Sequence, residues 1–518
     1  MTAPTSYDVV AYPGYTHAQT HPNRLAVTGA LFGLAPAPVT QCRVLELGCG
    51  NGSNLVPMAF GLPDSQFVGL DLAAQPIARG QRMIDGLGLK NIRLLHGNLA
   101  DFDAGPGTFD YVIAHGLYSW VPPEVRERLL ALCRQCLAPH GIAFVSYNAL
   151  PGSHLRKMTR DMMMFHLRDL RDPDERVRQA QALAQFLADA VDTADVYRLW
   201  LKSELETIRR HEPGHLYHDE LAEINEPFYF TQFVGQAAGH GLQYLGEADY
   251  AEMFDHGFNE PTRSTLRQLA GDRILREQYL DFLRCRRFRQ TLLCPAEARV
   301  NPEPDAAKVA GFWISTLARR TGDEGDLGPG QIRHYATTAG AKCSTDFPLG
   351  KAALDVLGRD ELRPLPFAEL LDQSTATLAA AGLPVGCPDP RAELCGFLLQ
   401  LHAVGAIGFR TWLPPAARAA GERPAVSALA RWQIRERRCV TSQYHVSVEI
   451  EDDLGRHLLA AMDGTLDRAA LVDQVLGQLG AGHAPGQPDG DPAATRRKVE
   501  LTLQNNLDKL ARLGLLVA

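Results

Sequence analysis

The run Arg43-Val44-Leu45-Glu46-Leu47-Gly48-Cys49-Gly50-Asn51-Gly52 ends an apolar stretch in glycines at alternate positions. Glycine adopts left-handed backbone freely and carries no Cβ, so this segment can turn sharply and bring its backbone against a ligand. With the apolar part as a strand and a helix starting near Ser53 or Asn54, the unpaired N–H groups of the helix start face the same point and favour a carboxylate or a phosphate. Asp71 ends a second apolar stretch, Phe67-Val68-Gly69-Leu70, where a carboxylate can accept from both hydroxyls of a ribose. The chemistry on offer is nucleoside binding at the ends of two strands.

A dinucleotide site favours G-x-G-x-x-G, which leaves the helix start facing a pyrophosphate. Here the spacing is Gly48-x-Gly50-x-Gly52 with Glu46 upstream, a form that resembles motif I of the class I S-adenosylmethionine (SAM) methyltransferases. In those enzymes the loop faces the methionine part of the cofactor. The elements that would hold such a loop follow in order. Ile77, Met83, Ile84 and Leu87 have helical spacing, and Ile92 to Asn98 reads as a third strand, followed by Leu99. In the resembling fold this strand end faces the adenine edge, which the Asn98 carbonyl and the Leu99 N–H can pair with. Many methyltransferases carry Asp there, and taken alone Asn98 is a turn residue. A fourth strand, Phe109 to Ala114, runs into His115-Gly116-Leu117-Tyr118-Ser119-Trp120-Val121-Pro122, and a fifth, Ile142 to Asn148, ends in Tyr147 and Asn148. Ligands of open α/β sheets bind beyond the carboxyl ends of the strands, so both ends frame the reaction centre. Aromatic faces there attract a sulfonium or an ammonium by about 0.5–2 kcal/mol each. Trp120 serves equally well as packing under the following helix.

Closure of the sheet is deferred. Residues 153–210 are helical in pattern, and the remaining strands come only at Leu242 to Glu247 and Phe288 to Cys294, with a helix across Ser264 to Cys285 between them. Residues 152–227 are therefore expected as a helical insertion at the substrate face, a lid or specificity element. Within it, His211-Glu212-Pro213-Gly214-His215 matches H-E-x-x-H, with His218 nearby. A zinc site needs both histidines one turn apart on a continuous helix. Pro213 and Gly214 oppose that helix, so a turn with surface histidines is expected, and no metal. Tyr12 to Pro22 is too aromatic and polar for a tail; it either folds over the cofactor or forms an ordered surface arm.

A chain of 518 residues, 45% hydrophobic and 22% charged, is globular and too long for one core. Its ten cysteines are scattered, which excludes a secreted disulfide framework; Cys133 and Cys136 share the apolar side of an amphipathic helix and read as core. Met1 to Val10 lacks a signal-peptide pattern, and no apolar run approaches ~18 residues, so a cytoplasmic protein without a membrane span is expected. A net charge of −8 argues against nucleic acid as main partner and suits a basic, lysine-bearing protein. From Asn301 the pattern changes to a quasi-repeat, one unit starting at Gly350 and another at Gly455. Each has three helices closed by a glycine and an apolar strand, a winged-helix-like unit. The Gly-, Pro- and Asp-rich stretch from Gly477 to Ala494 reads as a mobile loop. Winged helices often bind DNA, but the cluster Arg418, Arg423, Arg431, Arg435, Arg437 and Arg438 reads better as a solvated or protein-binding face.

With these residues together, the chain resembles the bacterial methyltransferases that carry a methyltransferase regulatory domain, and especially the protein-lysine methyltransferases acting on outer-membrane proteins. The matching pieces are Tyr12 to Pro22, Leu45 to Gly52, His115 to Pro122, Ser146 to Gly152, His218 to Phe230 and the C-terminal winged-helix segment. The resemblance implies an α/β fold, a Rossmann-like class I methyltransferase sheet with a helical insertion, followed by winged-helix-like α+β units. It implies an arm at 1–40, a methyltransferase domain at 41–298 with a regulatory-domain-like segment at 218–298, and winged-helix-like domains at 299–412 and 413–518. SAM is the implied methyl donor, S-adenosylhomocysteine the product, a lysine-bearing protein the acceptor and a homodimer the assembly. Glu46, Gly48, Cys49, Gly50 and Asn51 would hold the methionine end, Asp71 with Leu72 the ribose, and Asn98 with Leu99 the adenine. Tyr15 and Thr20 of the arm would add contacts. His115, Tyr118, Tyr147 and Asn148 would line the methyl-transfer channel, and His115 would also touch the cofactor. A small-molecule methyltransferase and a SAM-sensing scaffold remain as alternatives.

Overall fold

The computed structural model describes residues 5–190, 195–322, 326–338, 340–359, 363–481 and 492–517. Seven strands make the central sheet: β1 (Arg43–Leu47), β2 (Gln66–Asp71), β3 (Ile92–His96), β4 (Phe109–Ala114), β5 (Leu137–Asn148), β6 (Leu242–Glu247) and β7 (Phe288–Pro295). Their order is β3-β2-β1-β4-β5-β7-β6, with β1 to β5 parallel and β7 antiparallel to both neighbours. Parallel strands are covered on both faces and so need apolar residues on both. Val44 faces one core with Phe67, Tyr111 and Phe144, under helices Pro22–Leu31, Leu55–Gly61 and Ala74–Leu87. Its neighbour Leu45 faces the other, with Val112, Val145 and Tyr147, under Pro123–Cys136 and Phe230–Gly239.

The expected helical insertion leaves the sheet after β5 and returns where Phe228 bridges Ala149. Its helices Ser153–His166, Pro173–Asp189 and Val196–Arg209 pack on a core of their own that includes Met163, Leu167, Ala184 and Leu205. Two expectations fail nearby. Instead of one helix across Ser264 to Cys285 there are two, Glu260–Leu269 and Arg273–Arg284. Asp272 starts the second as an N-cap, its Oδ1 accepting from Leu275 N–H at 2.8 Å. The break expected between His211 and His215 is present, since His211 and Glu212 lie outside any helix and a new one opens at Pro213, but the surface placement expected of the histidines fails. Pro213 stands at the first helical position, where its missing N–H costs nothing, and the helix continues as a π turn over Leu216–Glu220. His218 is buried rather than on the surface.

Beyond the sheet, helices Pro348–Arg359, Phe367–Ala380 and Pro390–Ala403 pack on a small sheet of Leu365–Pro366, Trp313–Thr316 and Ile407–Arg410. A second sheet, Ala318–Thr321 with Arg333–Thr337 and Lys342–Thr345, is an addition the repeat pattern did not announce. The last unit gathers Ala428–Glu436, Asp453–Ala461, Arg468–Ala481 and Pro492–Arg512 around Leu458, Leu471, Leu503 and Leu507. A hairpin, Cys439–Thr441 with Ser447–Glu449, projects from it. The loop expected from Gly477 to Ala494 shrinks, because helix reaches Ala481 and restarts at Pro492; residues 482–491 lie outside the described residues. Among the described residues no helix is long and apolar enough to cross a membrane.

Candidate active site

The glycine loop leaves β1 with Gly48 at φ +74° and Gly50 at φ +55°, both left-handed. Gly48 N–H and Cys49 N–H donate to Leu70 O at 2.8 and 3.1 Å, which ties the loop to the end of β2. Asp71 completes the tie: Oδ2 accepts from Gly50 N–H and Oδ1 from Ala73 N–H, both at 2.8 Å. Burial raises the Asp71 pKa, and these two N–H groups oppose the rise. A Cβ added at Gly50 would meet nothing within 4 Å, because the loop borders a cavity of about 640 Å³.

Glu46, Gly48, Cys49, Gly50, Asn51, Asp71, Leu72, Asn98 and Leu99 all line that cavity. Glu46 is 4% exposed. Its Oε1 accepts from Asn54 Nδ2 at 2.7 Å, while Oε2 has no partner. Burial pushes its pKa up to about 8, against the Asn54 hydrogen bond. A buried carboxyl that lines a cavity and keeps one oxygen unused fits the ammonium of an amino acid, and Asp71 beyond it fits a ribose. Asn98 takes part in both the cavity wall and the turn. It borders the cavity, and its Oδ1 accepts from Ala100 N–H at 2.9 Å as a turn cap.

The N-terminal arm forms the opposite wall through Tyr7, Tyr12, Gly14, Tyr15 and His17. A Cβ on Gly14 would stand 2.1 Å from Ser53 Oγ, so only glycine lets the arm lie this close to the loop. His215 of the H-E-x-x-H segment and His218 beyond it hold the arm down. His218 Nε2 lies 2.9 Å from Val10 O and its ring stacks on Tyr7 at 3.9 Å. His215 stacks on Tyr15 at 5.5 Å. Burial pushes the Tyr15 pKa up to about 12, with Glu212 adding to it.

His115, at the end of β4, stacks on His17 at 3.7 Å. Burial lowers both imidazoles, His17 to about 4 and His115 well below its usual value, so both are neutral near pH 7. Asn148, at the end of β5, donates from Nδ2 to Asn225 Oδ1 at 2.8 Å, and its buried Oδ1 has no partner. From the insertion come Arg156 and Asp219. Arg156 pairs with Glu220 Oε1 at 2.7 Å. Tyr12 O–H donates to Asp219 Oδ2 at 3.4 Å, and burial raises the Asp219 pKa against the pull of Arg156.

Three expected site residues stand outside the cavity. Tyr118 is fully buried on the far side of the sheet and donates to Gln236 Oε1 at 2.6 Å. Tyr147, equally buried, stacks on Phe233 with its hydroxyl 3.3 Å from Thr291 Oγ1. Neighbours on a strand point to opposite faces, so Asn148 at the cavity puts Tyr147 away from it. Thr20 lies behind the wall, donating to His17 O at 2.8 Å and accepting from Asn54 Nδ2 at 3.0 Å. Conversely, Tyr7, Tyr12, His17, Asn54, Arg156 and Asp219 line the cavity without having been singled out. The aromatic arm was a signal for Tyr12 and His17. Nothing in the sequence ties Arg156 to the glycine loop.

Residues 44–141 match a methyltransferase domain, 212–295 a predicted methyltransferase regulatory domain, and 422–515 the C-terminal winged helix domain of PKMT. The chain is 30% identical to the uncharacterized protein RP789 of Rickettsia prowazekii, over 96% of this chain and 90% of that protein. RP028 of the same organism is 38% identical over 45% of this chain and 93% of its own length. Among solved structures, PKMT2 from Rickettsia typhi in complex with AdoHcy superposes with a TM-score of 0.84 at 28% identity, covering 98% of this chain and 100% of that one. The cofactor is SAM, and the walls described above fit it. The chain belongs to the family of SAM-dependent methyltransferases that combine a methyltransferase domain, a methyltransferase regulatory domain and a PKMT-type winged-helix domain.

Proposed function

We propose that this methyltransferase modifies lysine amines of protein substrates. The observation that carries the reading is the wall facing the glycine loop, where Asn148, whose Oδ1 is unpaired, and Asp219 border the cavity among the rings of Tyr7, Tyr12, His17 and His115. When bound, SAM supplies a methyl group made electrophilic by its sulfonium. The chain's own groups have to admit an amine, strip its water and take its proton. Lysine has a pKa near ~10.4, so the attacking amine must be neutral. Asn148 Oδ1 can accept one N–H of that amine and so aim its lone pair. Asp219, whose proton affinity burial raises, is the carboxyl on this wall able to hold the released proton. The neutral imidazoles put no cation against the amine.

The likeness to PKMT2 supports a protein acceptor, as does the net charge of −8, which attracts basic segments. The resemblance to enzymes acting on outer-membrane proteins makes such a protein the first substrate to try. Ten cysteines without a disulfide support a reducing, cytoplasmic setting. Exposed Phe165, Phe186 and Leu199 on the insertion support pairing of two copies. The test is tritiated SAM with fractionated extract and mass spectrometry of labelled bands. Methyl-lysine in protein bands is the expected result; label confined to metabolites contradicts the reading.

A further inference from the structure

The C-terminal winged-helix domain touches the cofactor site, and one of its side chains reaches the helix start behind the glycine loop. His445 sits in the turn of the hairpin Cys439–Thr441/Ser447–Glu449 at φ +59°, a left-handed conformation uncommon for a residue with a Cβ. The turn imposes it: Ser442 N–H donates to Val446 O, and His445 N–H to Ser442 O, both at 2.9 Å. The side chain is 4% exposed, and its Nε2 lies 3.0 Å from Asn54 Oδ1.

Asn54 is the hub of that corner. Its Nδ2 donates to Glu46 Oε1 at 2.7 Å and to Thr20 Oγ1 at 3.0 Å, and its Oδ1 accepts from His17 N–H at 2.9 Å. A backbone N–H can only donate, so this last bond fixes which end of the amide is oxygen. His445 Nε2 must then carry the proton it gives to Asn54. The result is a buried chain from the hairpin through Asn54 to the carboxyl of Glu46, which lines the cavity and whose other oxygen has no partner.

Two further contacts make the same connection to the arm. Ser447 Oγ accepts from Thr16 N–H at 3.0 Å and lies 2.8 Å from Thr16 Oγ1. The Arg437 guanidinium donates to Gly14 O. Gly14 is the residue pressed against Ser53, so the arm is held between the hairpin and the helix start. Packing alone would be served by apolar side chains at these points. A donor aimed at the one amide that positions Glu46 asks for more.

We propose that His445 is a positioning residue of the cofactor site: by holding the Asn54 amide it orients Glu46 and the arm, so that docking of the C-terminal domain and binding of SAM are linked. The coupling is reciprocal, since anything that favours the docked hairpin favours the cofactor by the same factor. It holds whatever the methyl acceptor is, because it rests only on the cofactor wall. A glutamine at this position can still donate one hydrogen bond; an alanine cannot.

The test uses the full chain and S-adenosylhomocysteine, titrated calorimetrically into wild type, His445→Ala and His445→Gln. The expected result is about tenfold weaker binding in His445→Ala, the order of one lost buried hydrogen bond, and recovery of most of it in His445→Gln. A dissociation constant moved less than about twofold by His445→Ala overturns the proposal. So does an equal loss in both variants, which would mean only that the turn is disturbed. Hydrogen exchange of the wild-type protein needs no variant to fold: S-adenosylhomocysteine should slow exchange of the amides of residues 442–447, and unchanged rates there overturn the linkage.

Discussion

Glu46 carries the sharpest consequence at the scale of single residues. Its pKa of about 8 in the folded chain lies above the ordinary value of 4.5, so folding favours its protonated form. That stabilisation is whole below pH 4.5 and is lost as pH rises through about 8. Relative to Glu46→Gln, the unliganded wild type should therefore lose thermal stability across this range. A ligand ammonium beside Oε2 reverses the preference and draws the proton off. Binding of S-adenosylhomocysteine at pH 7 should release about one proton, visible as a buffer-dependent heat, and Glu46→Gln should release none. On the acceptor wall, Asn148→Ala and Asp219→Asn should each slow methyl transfer by about 10²-fold or more while leaving S-adenosylhomocysteine affinity within a few-fold. Tyr147→Phe and Tyr118→Phe should leave that affinity unchanged, at a stability cost of about 1 kcal/mol for each lost hydrogen bond. The two tyrosines also mark what sequence reading handles badly. Strand ends point to the ligand region as a whole, yet only alternate residues face it, and Tyr147 and Asn148 could never both do so. Asp71 and Glu46 were legible because a loop spacing fixes their neighbours. Asp219 was not, because it reaches the cavity only through the fold of a separate insertion.

At the scale of elements, the strands of the sheet were readable across the interruption because each is a short apolar run and glycine or proline marks most of the turns between them. The arm was readable as an element, but its fastening was not. His215 of H-E-x-x-H supplies a ring surface to the arm, and His218 beyond the motif adds a second ring and a hydrogen bond. The reading of Pro213 as an interruption held, because the proline opens a new helix and so leaves His211 outside it. The close approach of Gly14 to Ser53 makes a direct test of the arm. Gly14→Ala should push the arm off the loop and weaken S-adenosylhomocysteine about tenfold or more, with the melting temperature within a few degrees of wild type. An unmoved affinity would show that the arm is ornamental to binding. The winged-helix-like units were legible as three helices and a strand. The hairpin of the last unit was missed because its strands are too short to stand out from the loop around them.

At the scale of the whole molecule, the long-range contacts decide what the domains are for. The basic cluster before the last unit is not one surface. Arg437 turns inward to Gly14, whereas Arg418, Arg423, Arg435 and Arg438 are exposed. With a net charge of −8 behind them, Arg423→Ala with Arg435→Ala should leave retention on DNA at low salt unchanged. A steep loss would move the winged-helix unit towards nucleic acid. The account as a whole stands on the cavity between the glycine loop and Asp71, and a calorimetric titration of the full chain with S-adenosylhomocysteine tests it most directly. One molecule per chain should bind, with affinity reduced at least about tenfold in Asp71→Ala. Absence of binding, or an affinity that Asp71→Ala leaves untouched, would contradict it.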